Sequence, residues 1–187
     1  MSAESQVGIK ENYVRVTTIL GLYTDFSTIP DAVLKHASAR GTEVHQICAA
    51  IAQGMWVPAI SAECRGYVDS FKRWFELVDE VLLVEERLYD HTFKFTGQVD
   101  LVVKLRGDKS PRVVDLKTPI TKGRTWFAQI AAYNRLAEFD RGFLCKNSGT
   151  LRLSPAGKVA KFDNCNPPAE ALAAFLGALT SYNYFKS

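Results

Sequence analysis

Two apolar runs of this chain each carry one aspartate where an aspartate is hard to accommodate, and that pair constrains the fold more than any other feature. Thr92 to Leu105 is mostly β-branched, aromatic and aliphatic and contains Asp100; Arg112-Val113-Val114-Asp115-Leu116-Lys117 has the same character and contains Asp115. Between them Arg106-Gly107-Asp108-Lys109-Ser110-Pro111 reads as a turn. A hairpin turning at Gly107-Asp108 sets Asp100 opposite Asp115, with Cβ atoms about 4.5–5.5 Å apart, unless Pro111 shifts the register. Period-two alternation then puts Lys117 on the face of Asp115, while Val114 and Leu116 point the other way. Two opposed carboxylates repel unless something positive lies between them, and a divalent cation with oxygen ligands is the natural occupant. The competing reading, a turn-capping aspartate and a surface aspartate, fits poorly, because an unpaired carboxylate inside an apolar strand is costly.

The rest of the chain supplies helices around such a hairpin. Residues 1–12 are polar and expected to be loose. Tyr13 to Leu22 is β-prone, a short strand or extended lead-in. Pro30-Asp31 opens a helix that runs, with a break at Arg40-Gly41, to about Gln53, with Gly54 as its C-cap. Ser61 to Val78 is a second helix, because Tyr67, Phe71, Trp74, Phe75 and Val78 recur at helical spacing. Val81 to Tyr89 is a strand, Thr121 to Glu138 a helix, and Gly142–Lys146, Thr150–Leu153 and Val159–Asp163 are short strands. Pro167-Pro168 opens a last helix to about Tyr182. This order predicts an α/β fold with a central mixed β-sheet flanked by helices, and a length of 187 residues suits one domain over 1–187.

Four short patterns occur in order on these elements: Gly41-Thr42-Glu43-Val44-His45 on the first helix, Gly97-x-x-Asp100, Asp115-x-Lys117-Thr118, and Gln129-x-x-x-Tyr133 on the helix after the hairpin. In this the chain resembles the PD-(D/E)XK nuclease superfamily, and more narrowly its RecB-like exonuclease branch, which includes the RecB and AddB nuclease domains, the Cas4 proteins and the mitochondrial genome maintenance exonucleases. The resemblance implies a restriction-endonuclease-like core and a centre for Mg2+ or Mn2+. It implies His45, Asp100, Asp115 and the backbone carbonyl of Leu116 as metal ligands, and Asp100, Asp115, Lys117 and a glutamate of the preceding strand as the catalytic set. Alternation allows only one of Glu85 and Glu86 to face the site, and Glu85 is favoured. Gly41 is expected to permit close backbone approach. Gln129 and Tyr133, one turn apart on one helix face, are expected to brace the centre and touch the DNA backbone, with Thr118, Lys122 and Arg124 holding phosphates near the helix start.

The function this implies is metal-dependent DNA exonuclease action on single strands or ends, in phage or bacterial recombination, repair or replication, in the cytoplasm of a bacterium or phage-infected host. The alternatives are an endonuclease of the same superfamily and a non-catalytic nucleic-acid-binding module on a decayed nuclease fold. A net charge of +3 is compatible with nucleic acid without demonstrating it. Four scattered cysteines lack the tight cluster that holds an iron–sulfur centre in some relatives, so no such cluster is expected. No apolar stretch approaches a membrane span.

Overall fold

In the computed structural model the described residues are 13–119, 121–166 and 168–186. Residues 1–12, expected to be loose, lie outside them, as does Pro167. In chain order the elements are β1 (Val14–Arg15), α1 (Val16–Gly21), α2 (Asp31–Ala52), α3 (Ala62–Phe75), β2 (Val78–Asp90), β3 (Phe95–Leu105), β4 (Arg112–Lys117), α4 (Trp126–Arg141), β5 (Gly149–Arg152), β6 (Lys161–Asn164) and α5 (Pro168–Lys186).

The strands form one mixed six-stranded sheet with helices on both faces, the α/β architecture the element order predicts. β2 pairs antiparallel with β3, β3 antiparallel with β4, and β5 joins β4 in parallel through α4 before β6 closes the far edge. Below the sheet, Val99, Val102 and Val113 pack with Ile130 and Leu136 of α4, Phe175 and Leu179 of α5, and Val16 and Ile19 of α1. Above it, Leu101, Val103, Val114 and Leu116 pack with Val44 and Cys48 of α2 and Phe71 and Trp74 of α3. Each fully buried aliphatic or aromatic side chain contributes about 1.5–3 kcal/mol, so the two layers clamp β3 and β4 from both sides.

β3 has an unfilled edge. β2 occupies one side of it from Phe95 to Leu105. On the other side β1 pairs only with Phe95 and Thr96, and β4 only with Leu101 to Val103. Among the described residues, Gly97 to Asp100 therefore have no strand on that side.

Three expectations are corrected. Tyr13 to Leu22 is not a strand: after two β residues it turns helical, because Val16, Ile19 and Leu20 at helical spacing bury against the lower layer, and that packing overrides β-propensity. The helix from Asp31 does not break at Arg40-Gly41. One interior glycine costs about 1 kcal/mol, too little against the burial of Val44, Ile47 and Cys48. Gly142–Lys146 is not a strand, for Gly142 at φ 72° ends α4 in the left-handed conformation and the parallel partner of β4 begins at Gly149. Among the described residues no helix is long and apolar enough to cross a membrane.

Candidate active site

The β3–β4 ladder pairs Leu101 with Val114, Val102 with Val113 and Val103 with Arg112. One further step in this register would join Asp100 to Asp115, but the ladder stops there. The N–H of Leu116 donates instead to Asp100 Oδ2 at 2.7 Å. The two strands thus part where both aspartates lie, and both remain buried, at 7% and 2% exposure. Asp115 follows the face of Val113, towards α4, whereas Leu116 follows Val114 into the upper core.

Helix α2 reaches this opening from above. Val44, Ile47 and Cys48 anchor it in the core, which turns His45 to the strand edge. Its Nε2 lies 3.1 Å from the Leu116 carbonyl, and since a carbonyl only accepts, Nε2 donates. Nδ1 lies 3.5 Å from both Glu85 Oε1 and Asp100 Oδ2. Glu85 sits opposite Asp100, between the pairs Val84–Leu101 and Glu86–Val99, with φ 48°. A left-handed non-glycine residue within a strand costs about 1–2 kcal/mol, and here it delivers a carboxylate to the cluster. Glu86 turns the other way and pairs with Arg141.

From below, α4 meets Lys117. The Lys117 ammonium is 2.7 Å from Asp115 Oδ2 and donates to Gln129 Oε1 at 3.0 Å; Gln129 Nε2 donates to the Tyr133 hydroxyl at 2.9 Å. Tyr133 fits because Gly97 has no side chain: a Cβ there would lie 2.6 Å from Tyr133 Cε1. Gly97 and Asp100 are thus two parts of one arrangement, the first admitting the ring that supports the lysine and the second supplying a carboxylate. Gly41 behaves differently from expectation. Among the described residues a Cβ on it would meet only Thr118 Oγ1, at 3.9 Å, so none of them presses on it. It opens instead into a cavity of about 640 Å³ that also exposes His45, Thr42, Gln46, Glu85 and Gln98.

The ligand atoms that converge, all within 4.8 Å, belong to His45, Glu85 and Asp100. Asp115 stands beside them, tied to Lys117. Glu85, expected in catalysis rather than ligation, is inside the converging set. Gln98, which donates to Glu85 Oε2 at 2.7 Å, was missed; it lies within the Gly97-x-x-Asp100 pattern, and the strand pairing that orients it towards Glu85 is what the pattern does not spell out. Thr118 is buried beside Gly41. Lys122, over the Phe127 ring at 3.4 Å, and Arg124 are exposed on the approach to α4, and among the described residues no hydrogen bond or ion pair ties either to the cluster. Of the other basic residues on the hairpin, Lys104 is closed on Glu80 at 2.7 Å and Arg112 on Asp108.

The electrostatics are those of a site with excess acid. Burial opposes the His45 imidazolium, but the charge of Asp100 and the hydrogen bonds of Asp100 and Glu85 outweigh it and hold the ring well above its ordinary value. Burial likewise opposes an ionised Asp100, yet the charges of His45 and Lys117 and the Leu116 N–H bring its carboxyl below the usual range. Asp115 is pushed up to about 6, chiefly by burial, with Lys117 opposing and Asp100 reinforcing the rise. Its Oδ2 is buried and lacks an aligned hydrogen bond, and the Lys117 ammonium at 2.7 Å is its counter-charge. A buried carboxylate oxygen without a hydrogen bond, two further carboxylates and an imidazole form a donor set of nitrogen and hard oxygen that fits a divalent cation.

A model of the PD-(D/E)XK nuclease superfamily matches residues 14–157. No curated protein matches the chain.

Proposed function

The chain belongs to the PD-(D/E)XK nuclease superfamily, and from that premise we propose that it is an Mg2+- or Mn2+-dependent DNA exonuclease of the RecB-like branch. It would act on single strands or ends in phage or bacterial recombination, repair or replication, in the cytoplasm of the bacterium or infected host, with residues 1–187 as one nuclease domain. The observation that carries the reading is the gathering of His45, Glu85, Asp100 and Asp115 where β3 and β4 part, with one Asp115 oxygen left without a hydrogen bond.

His45, Glu85, Asp100, Asp115 and the Leu116 carbonyl would hold the cation. When bound, it supplies Lewis-acid stabilisation of charge on the phosphate and a water more acidic than bulk water. The protein's own groups do the rest. Asp100 and Asp115 orient the water, and Asp115, the more basic of the two, takes up its proton. Lys117, fixed by Asp115 and Gln129, directs its ammonium at the oxygen on which negative charge grows. Attack of water on phosphorus breaks the bond to the 3′ oxygen, which takes a proton from solvent as it leaves, giving a 5′-phosphate and a 3′-hydroxyl. Gln129 and Tyr133 keep Lys117 in place through the hydrogen-bonded chain. Thr118, Lys122 and Arg124 would meet the DNA backbone on the α4 side.

Digestion of end-labelled single- and double-stranded oligonucleotides with Mg2+, Mn2+ or EDTA tests the proposal. Expected is metal-dependent shortening from an end, reduced at least about a thousandfold in Asp115→Ala and about a hundredfold or more in Lys117→Ala, the scale on which single electrostatic groups act in active sites. Cutting of closed circular single strands would instead mean endonuclease action, and no cleavage with any divalent metal a binding module.

A further inference from the structure

The β2–β3 ribbon continues beyond the cluster, and its two faces differ. On the α4 face, Leu88 and Asp90 are buried, and the cations are neutralised: Arg135 by Asp90 and Arg141 by Glu86 and Asp140. On the other face Arg87 pairs across the ladder with Gln98 and Tyr89 with Thr96, followed by His91 and Lys94. This face is open: Gln98, His91 and Lys94 are exposed, and Arg87 and Tyr89 half-buried. Among the described residues neither Arg87 nor Lys94 forms an ion pair.

Three rings assemble here. Tyr13 stands edge-on to Tyr89 and to His91, with centroids 5.3 and 5.6 Å away. Its hydroxyl is 2.6 Å from His91 Nδ1, and Lys94 lies 5.5 Å from its centroid. The Tyr89 and His91 rings are parallel within 5°. This group is joined to the cluster through side chains: Arg87 donates to Gln98 at 3.3 Å, and Gln98 donates to Glu85 at 2.7 Å. At about 3.3 Å per residue, Arg87 to His91 spans roughly 13 Å leading away from Glu85.

We propose that this face is the track on which one strand of the substrate lies, and that the ligand it takes is single-stranded DNA. The inference rests on the reading of the cluster as a nuclease centre. Unneutralised Arg87 and Lys94 match phosphates, Arg87 at the end of the track nearest the acidic centre, joined to Glu85 through Gln98, and Lys94 at its far end. The rings match base faces, which are accessible only when a strand is unpaired. A duplex presents its backbone and groove edges and has no use for a stacking platform.

Fluorescence anisotropy with labelled oligothymidylate and with a blunt duplex, both in EDTA, tests the track. No hydrolysis is needed, so a chain inactive in digestion still answers. Expected is that Arg87→Ala/Tyr89→Ala raises the Kd for the single strand at least about tenfold, while Lys158→Ala, an equal loss of charge on an exposed loop, changes it less than about twofold. Arg87→Gln should lower the slope of log affinity against log salt by about 1, and Arg87→Lys should restore it. If the double variant does not fold, Arg87→Gln and His91→Ala, each alone, carry the same expectation of weakened binding. Unchanged affinity, or an equal loss for the duplex, overturns the proposal.

Discussion

Asp90 and Asp115 are carboxylates on strands of one sheet, buried at 0% and 2% exposure, and their surroundings are opposite. Asp90 is complete. Its Oδ1 accepts the N–H groups of Thr92 and Phe93 at 2.8 Å each, and its Oδ2 accepts Arg135 Nε at 2.5 Å. The guanidinium of Arg135 is enclosed by the rings of Phe93 and Phe139, 4.5 and 4.0 Å from their centroids. Asp115 has one poorly aligned ammonium, a second carboxylate nearby and an oxygen with no hydrogen bond. A buried acid that is fully satisfied fastens the fold. One that is left short is held in place by the fold, and its deficit is a binding capacity.

The largest effect should separate the two residues by stability. Asp90→Ala uncaps a turn and strands Arg135, at about 3–5 kcal/mol. Asp115→Asn, which relieves repulsion, should leave urea denaturation of the metal-free protein unchanged or shifted to higher urea. A loss at Asp115 equal to that at Asp90 would break the comparison.

The next effect is in pH. His45 has a raised folded value, so its stabilisation is full below about 6.5 and lost as pH climbs through that folded value. Asp115 titrates near 6 when folded against an ordinary 3.8. It is therefore destabilising above 6, and that penalty fades as pH falls through 6 towards 4. Asp100, depressed, loses its stabilising part only below its ordinary 3.8. Denaturation midpoints of the metal-free protein should therefore rise from pH 8 to about pH 5, with Asp115 contributing about 1.5 kcal/mol over that window. Saturating Mn2+ should flatten the slope, since a bound cation takes the place of those protons; a profile unaffected by metal would count against the centre.

The smallest effect should come from Gln129→Ala. It removes one neutral acceptor from Lys117 and leaves Tyr133 seated over Gly97, so stability should fall by about 1 kcal/mol and turnover by about tenfold. A loss as large as that of Lys117→Ala would move Gln129 from support into the chemistry.

The hairpin was legible because its information is local. A turn signal between two β-rich runs sets the pairing sum, and the observed ladder of Leu101 with Val114 has the register that brings Asp100 towards Asp115. The partition of Val114 and Leu116 from Asp115 follows from alternation alone. What was not legible depends on partners distant in sequence. Whether Tyr13 to Leu22 is strand or helix is decided by the layer of α4 and α5 on which Ile19 and Leu20 land. The left-handed turn of Glu85 breaks the alternation from which its direction was argued. That Gly97 serves Tyr133 while Gly41 faces open space is a matter of what lies opposite, which two identical letters in a sequence cannot distinguish.

The segment that reads as strand and folds as helix has one more consequence. β1 runs parallel to β3 with Val14 beside Phe95 and Arg15 beside Thr96. Had it kept going, Val16 to Ile19 would have zipped onto Gly97 to Asp100 and sealed the opening with backbone. The coil of α1 acts as a doorstop: coaxing those few residues into extended form would add one seam to the sheet and shut the opening, and it would also pull Val16 and Ile19 out of the core that holds them.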